Sequence, residues 1–223
     1  MYAPSDQSQA DHPAARQERT LLPEVDAADD PARGLDWILD TLGPRTLTLL
    51  DPSEQHKPLF FYLDERTRDT AIAWVRSHNN ARVEMNVYFH VNPTAPGFKT
   101  KADAADITSI EIVGQADLDA KAGRTFEDCW VSICALPLPP SFVIMTGGGF
   151  QIGYLLTEPL PPTSENKAWA VAVNQKVREL TGGDSVQDIS RIFRLPFTVN
   201  WPNARKQAEG RVPTPSGLIG GPL

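Results

Sequence analysis

A chain of 223 residues, 41% of them hydrophobic, is long enough to bury a sizeable core as one medium domain or two small lobes, so folding needs no staples. A formal net charge of −7 argues against a surface coated in basic residues for general nucleic-acid binding, and no apolar run approaches the ~18–20 residues of a membrane span. The N-terminus MYAPSDQSQADHPAARQERT lacks a signal peptide's basic start and apolar centre, and Cys129 and Cys134 lie in one helical stretch where their side chains diverge, so both read as buried thiols of a soluble cytoplasmic protein.

Residues 1–30, rich in Ala, Asp, Gln, Pro and Ser, carry no sustained apolar period and read as a flexible or loosely docked extension. Helical spacing begins at DPARGLDWILDTLG, where Leu35, Ile38, Leu39 and Leu42 share a face and Gly43 with Pro44 stops the helix. RTLTLLDP and LFFYLDE are strand-like, and RTRDTAIAWVRSHNN is a helix closed by Asn79 and Asn80. RVEMNVYFHVNP is a strand ended by Pro93, and the polar stretch TAPGFKTKADAADITS, with Lys99 and Lys101 beside Gly97, reads as a connection.

The next strand, IEIVGQADLDAK, ends in Asp117 and Asp119. Alternation puts both carboxylates on one face and Leu118 on the core side. Held close without a counter-charge, one of them would keep its proton; a hard divalent cation such as Mg²⁺ or Mn²⁺ removes that conflict. The same spacing also marks an ordinary solvated strand end.

RTFEDCWVSICAL reads as a helix ended by PLPP, and SFVIMTGGGFQIGYLL as two strands joined by Gly147, Gly148 and Gly149. Glycine amides can cradle phosphate oxygens, and the Gln151 amide is a further phosphate donor; a plain glycine hairpin has the same signature. A long helix from about Ser164 to Leu180, stopped by TGG, leads into DSVQDISRIFRLPFTVNWPNARK, read as a short helix or turn, an extended piece and a basic loop. There Asp184 and Asp188 precede Arg191 and Arg194, whose forked donors suit phosphate; the competing reading is a helix with internal ion pairs and Asp188 as its N-cap. The acidic total hides a basic region, since from Lys176 to Arg211 seven bases stand against four acids. The ending, VPTPSGLIGGPL, is rich in Pro and Gly and makes 207–223 a linker-like tail. Strands and helices alternate without the regular repeat of a doubly wound parallel sheet, so the fold class is α+β.

In their order, ADLDAK, TGGGFQIGY and DSVQDISRIFRLPFTVN resemble the three motifs of the archaeo-eukaryotic primase superfamily, in particular the primase-polymerase domains of plasmids, phages and mobile elements. Gln151 stands where many relatives carry histidine, and Phe197 where many carry glycine. The resemblance implies a two-lobed catalytic domain over 31–206, with an N-terminal lobe at 31–100 and an RRM-like lobe of mixed or antiparallel sheet at 101–206 that carries the Asp117 strand. It implies template-directed nucleotidyl transfer from an NTP or dNTP to begin or extend primers in DNA replication of a mobile element. Asp117, Asp119 and either Asp184 or Asp188 would hold two Mg²⁺ or Mn²⁺ ions. Gly147, Gly148, Gly149, Gln151, Arg191, Arg194, Lys101 and Asn200 would hold the nucleotide, and Arg205 and Lys206 the DNA. Single-stranded template and primer are the implied partners, with a helicase fused or in trans. The alternatives are a catalytically silent single-strand-binding relative, a metal-dependent nuclease or phosphotransferase using the same carboxylates, and an interaction module.

Overall fold

The computed structural model describes residues 22–121, 123–184 and 188–219, so most of the predicted N-terminal extension and the last residues of the tail lie outside the described residues. Helix α1 (Pro31–Thr41) starts with Pro31 in its first turn, where a missing N–H costs nothing, and buries Leu35 and Ile38. Gly43, at φ +76°, then turns the chain into β2 (Arg45–Leu50). β2 pairs on one side with β3 (Leu59–Leu63) and on the other with β4 (Asn86–His90), which pairs with β8 (Ile192–Arg194); all are antiparallel. Leu47, Leu49, Val87, Phe89 and Phe193 lie in one apolar cluster with α1 and α2 (Arg68–His78). By alternation, Thr48, Tyr88, His90 and Arg194 fall on the opposite face of that sheet.

The second sheet takes the order β1 (Val25–Ala27), β11 (Gly217–Ile219), β6 (Phe142–Met145), β7 (Gly149–Leu160) and β5 (Ile110–Asp119), again antiparallel throughout. Helices α3 (Phe126–Cys134) and α4 (Ser164–Thr181) cover it, sealing Leu118, Trp130, Phe150 and Ile152 into a second core. Thr125 and Asp128 form a capping box at the start of α3, and Gly182 ends α4 in the left-handed conformation. The Arg124 guanidinium donates to the Thr181 and Gly182 carbonyls, each at 2.6 Å, closing the orphan end of α4. A ribbon of β9 (Val199–Asn200) and β10 (Thr214–Pro215), with the short α5 (Ala204–Ala208) between, completes the chain. Trp37 stands edge-on to Phe89 of one sheet and to Phe142 of the other, so the two sheets share a core.

The α+β class holds, and among the described residues no helix is long and apolar enough to cross a membrane. The domain boundaries are corrected. Residues 25–27, assigned to a loosely docked extension, are an edge strand, and residues 214–219, assigned to a linker, supply β10 and the β11 strand lodged between β1 and β6. The division at residue 100 is crossed as well, because β8 joins the N-terminal sheet and β1 the other. Cys129 is buried as expected, but Cys134 is exposed at the end of α3; both are free thiols. Phe197 has φ +61°, the left-handed region that glycine enters freely. Its buried ring, 4.3 Å beneath the Arg33 guanidinium, offsets that backbone cost by packing and a cation–π contact.

Candidate active site

The aspartate pair is positioned by a break in strand regularity. The pairing of β5 with β7 shifts register between Val113 and Ala116, where Gly114 sits at φ +62° against the Tyr154 ring. Beyond the bulge, Asp117 lies opposite Gln151 and Asp119 opposite Gly149, while Leu118 faces the core. Gly149 has no room for a side chain: a Cβ there would overlap the Leu118 carbonyl. At Gly148 a Cβ would meet the Arg211 guanidinium, and at Gly147 the Thr214 side chain. The glycine turn was expected to let a ligand approach; at Gly147 and Gly148 the close approach is made by the chain's own C-terminal segment, and at Gly149 by β5.

Asp117 is largely buried, with 22% of its side chain exposed. Burial, then the charge of Asp119, pushes its carboxyl up to about 6, against the opposing pull of Gln151 and Arg191. Gln151 Nε2 donates to Asp117 Oδ2 at 3.2 Å, and Arg191 Nη2 lies 3.9 Å from the same oxygen. Gln151 Oε1 accepts from the Arg194 backbone N–H at 2.8 Å, so this buried amide ties the Asp117 strand to β8 of the other sheet. A residue expected to bind phosphate is therefore engaged as a brace. Gln151→Leu leaves the Arg194 N–H and the carboxylate without these partners and is expected to destabilise the protein by about 1–3 kcal/mol. Gln151→His, with a donor and an acceptor on one ring, is expected to lose less than half as much in thermal unfolding; equal losses would refute the bridging role.

The two candidates for the third carboxylate part company. The Asp184 N–H donates to the Asp117 carbonyl at 2.8 Å, and its side chain pairs with Lys121, whose ammonium pKa is raised by that bond. Asp188 Oδ1 instead accepts from the Ser190 backbone N–H and hydroxyl at 2.9 and 2.7 Å. That is a turn rather than a helix cap, and it lies on the wall of another cavity, together with Lys101.

The pair opens into a cleft of about 110 Å³ lined by Tyr88, Thr146, Gln151, Arg194, Lys206 and Arg211 among others. Gly148, Asn200, Lys206 and Arg211 also border an adjoining cavity of about 320 Å³, in which the charged lining residues are Lys206 and Arg211. Arg194 is buried and fixed: it donates to Asn86 Oδ1 and the Tyr88 hydroxyl, both at 2.9 Å, with its guanidinium 4.8 Å from the Tyr88 ring centre. Arg211 donates to the Ala120 carbonyl at 2.6 Å, and Asn200 Nδ2 to the Thr146 carbonyl at 2.6 Å. Arg205 is exposed, 3.9 Å from Glu209, and outside these linings. Sequence reasoning missed Tyr88, Thr146, Lys121 and Arg211 as site residues; Arg211 had been counted in the basic region, but its segment reads as linker.

Among the described residues no group of three or more His, Cys, Asp or Glu side chains is gathered to hold a metal ion. The donor set of Asp117 and Asp119 nonetheless fits a hard divalent cation, being all oxygen and carrying a charge conflict that already raises the Asp117 pKa. Asp184 would join them by exchanging its Lys121 ammonium for the ion.

No protein-family model and no curated protein matches the sequence. Solved structures do. The AEP domain of the primase-polymerase of cyanophage S-2L is 20% identical with a TM-score of 0.52, the match covering 84% of this chain and 89% of that one. The catalytic domain of primase RepB′, in complex with initiator DNA, is 13% identical with a TM-score of 0.57, covering 86% of each chain. A second structure of primase RepB′ gives 12% and 0.59, covering 86% of this chain and 56% of that one. The chain thus has the fold of archaeo-eukaryotic primase catalytic domains.

Proposed function

We propose that the protein is a template-directed nucleotidyl transferase of the primase-polymerase type. The observation that carries this reading is one juxtaposition: a half-buried carboxylate pair at a strand end, opening into a cleft that Lys206 and Arg211 share with an adjoining cavity in which they are the charged lining residues. Such a site has a place for a cation-bound reacting phosphate and, beside it, a place for a leaving polyphosphate. The fold shared with primase-polymerases supports the reading, and so does the initiator DNA in the RepB′ complex.

Asp117 and Asp119 would hold Mg²⁺ or Mn²⁺, with Asp184 as third ligand. Bound there, the ions supply charge stabilisation to the acceptor oxygen and the leaving group. Gln151 and Arg191 hold the Asp117 carboxylate in place. Lys206 and Arg211 neutralise the polyphosphate of an incoming NTP or dNTP, and Arg194, fixed by Asn86 and Tyr88, presents a static positive charge above the pair. Single-stranded template and primer follow as partners, with a role in priming replication of a mobile element and a helicase working alongside.

The test is incorporation of labelled NTPs and dNTPs on a single-stranded template with Mg²⁺ or Mn²⁺. Wild type is expected to yield product that the Asp117→Asn, Asp119→Asn double variant does not. Template shortening in place of extension would identify a nuclease, and metal-independent strand binding without product a silent relative; either outcome sinks the proposal.

A further inference from the structure

Within this reading, we propose that a second cavity, set across Arg191 from the carboxylate cleft, holds the acceptor nucleoside, the base and sugar whose hydroxyl is extended. The cavity, about 450 Å³, has apolar walls from Leu50, Pro58 and Phe60 and hydroxyls from Thr48 and Ser190. A flat, partly apolar base with a hydrogen-bonding edge matches that mixture, and Phe60 offers it a face on which to stack.

His90 is the second observation. It lines this cavity and is only 2% exposed; its Nε2 lies 3.2 Å from Thr48 Oγ1, while Nδ1 is buried with no hydrogen-bond partner among the described residues. An unpartnered buried polar atom of this kind costs about 1–3 kcal/mol, a cost that a ligand edge reaching it would remove. Burial lowers the imidazole pKa to about 4, so the ring is neutral at physiological pH, and with Nε2 engaged by Thr48 it is Nδ1 that remains for an uncharged partner. Lys101 and Arg191 disfavour a cation in the cavity, and Asp188 disfavours a wholly anionic body. What suits it is a neutral body charged only at the end towards Arg191.

Position completes the argument. Tyr88 borders the carboxylate cleft and His90, two residues along the same face of β4, borders this cavity, while Arg191 lines it and reaches to 3.9 Å from Asp117. The carboxylates thus have a polyphosphate-compatible cavity joined to their cleft through Lys206 and Arg211 and a nucleoside-compatible cavity joined to Asp117 through Arg191. Phosphoryl transfer in line requires that separation. The acceptor hydroxyl oxygen bonds to the α-phosphorus, the bond from that phosphorus to the bridging oxygen breaks, pyrophosphate leaves with the electron pair, and the hydroxyl proton passes to water.

Two full-chain variants test the assignment by steady-state kinetics with a dinucleotide acceptor: Phe60→Ala, which removes the stacking face, and Ala102→Trp, which fills the cavity. Each is expected to raise the acceptor KM roughly ten-fold while leaving the donor KM within about two-fold. A rise confined to the donor KM, or no rise in either, overturns it. An arm independent of turnover uses the metal-free Asp117→Asn, Asp119→Asn protein and follows the His90 ring nitrogens by NMR. Nucleoside monophosphates are expected to shift them and pyrophosphate is not; no shift with any nucleotide overturns the site. A wild type that incorporates nothing yet shows the His90 shift overturns the transferase reading and leaves the nucleoside site standing.

Discussion

Metal-free Asp117→Asn is expected to unfold at a higher temperature than wild type at pH 7.5 while incorporating no nucleotide. The carboxyl is held near pKa 6 by burial and the Asp119 charge, against an ordinary value of 3.8. Its folded pKa is therefore raised, and for an acid this makes ionisation a penalty on the folded state. Below about pH 4 the group is protonated in both states and the penalty is absent; it grows as pH rises from 4 to 6 and is complete above 6. Full ionisation costs on the order of 3 kcal/mol, which asparagine avoids while still accepting from Gln151 Nε2. The stability gap between variant and wild type should thus open between pH 4 and 6. Adding Mn²⁺ should narrow it, because the ion stabilises wild type and not the variant. A variant less stable than wild type at pH 7.5, or a gap that ignores pH, would show that the site stores no charge conflict. Under the proposed function, activity and stability would be opposed at this residue, as is common where charge is pre-arranged for a ligand.

Deletion of residues 207–223 should abolish cooperative unfolding. β11 lies between β1 and β6, so its loss strips one strand of its partner and leaves β6 as an open edge. Ser216 alone donates its hydroxyl to the Leu195 and Thr198 carbonyls at 2.9 and 2.8 Å, while its carbonyl accepts from the Phe197 N–H at 3.1 Å. These are the bonds that close the chain behind Arg194. Arg211→Ala separates the two duties of the segment: it keeps β10 and β11, and is expected to retain a cooperative melt while raising the donor KM about ten-fold. A truncated chain that melts like the full one would return the segment to the status of a linker. Differential scanning calorimetry with donor titrations decides both points.

The parts of this protein legible in its sequence are those governed by local rules. Period-3.6 spacing places α1 and α4, the glycine run marks the hairpin between β6 and β7, and period-2 alternation puts Asp117 and Asp119 on one face. Gly114 stands inside an apolar run with no local sign of a bulge, although the bulge is what aims the pair. The tail escaped because GLI is three residues long, flanked by Pro and Gly, too short for any alternation to register. The roles of Gln151 and Arg211 escaped for a different reason: each is defined by a partner far along the chain, Arg194 for one and Ala120 for the other.

By itself, then, the sequence determined the α+β class, the carboxylate pair and the order of the three motifs, since each depends on neighbours within a few positions. Only the tertiary structure decided that Asp184 stands beside the pair while Asp188 caps its own turn, and that Gln151 braces the site it was expected to serve as a ligand. It alone made a strand of a linker. Those outcomes depend on which groups long-range pairing brings within hydrogen-bond distance, and no periodicity encodes that.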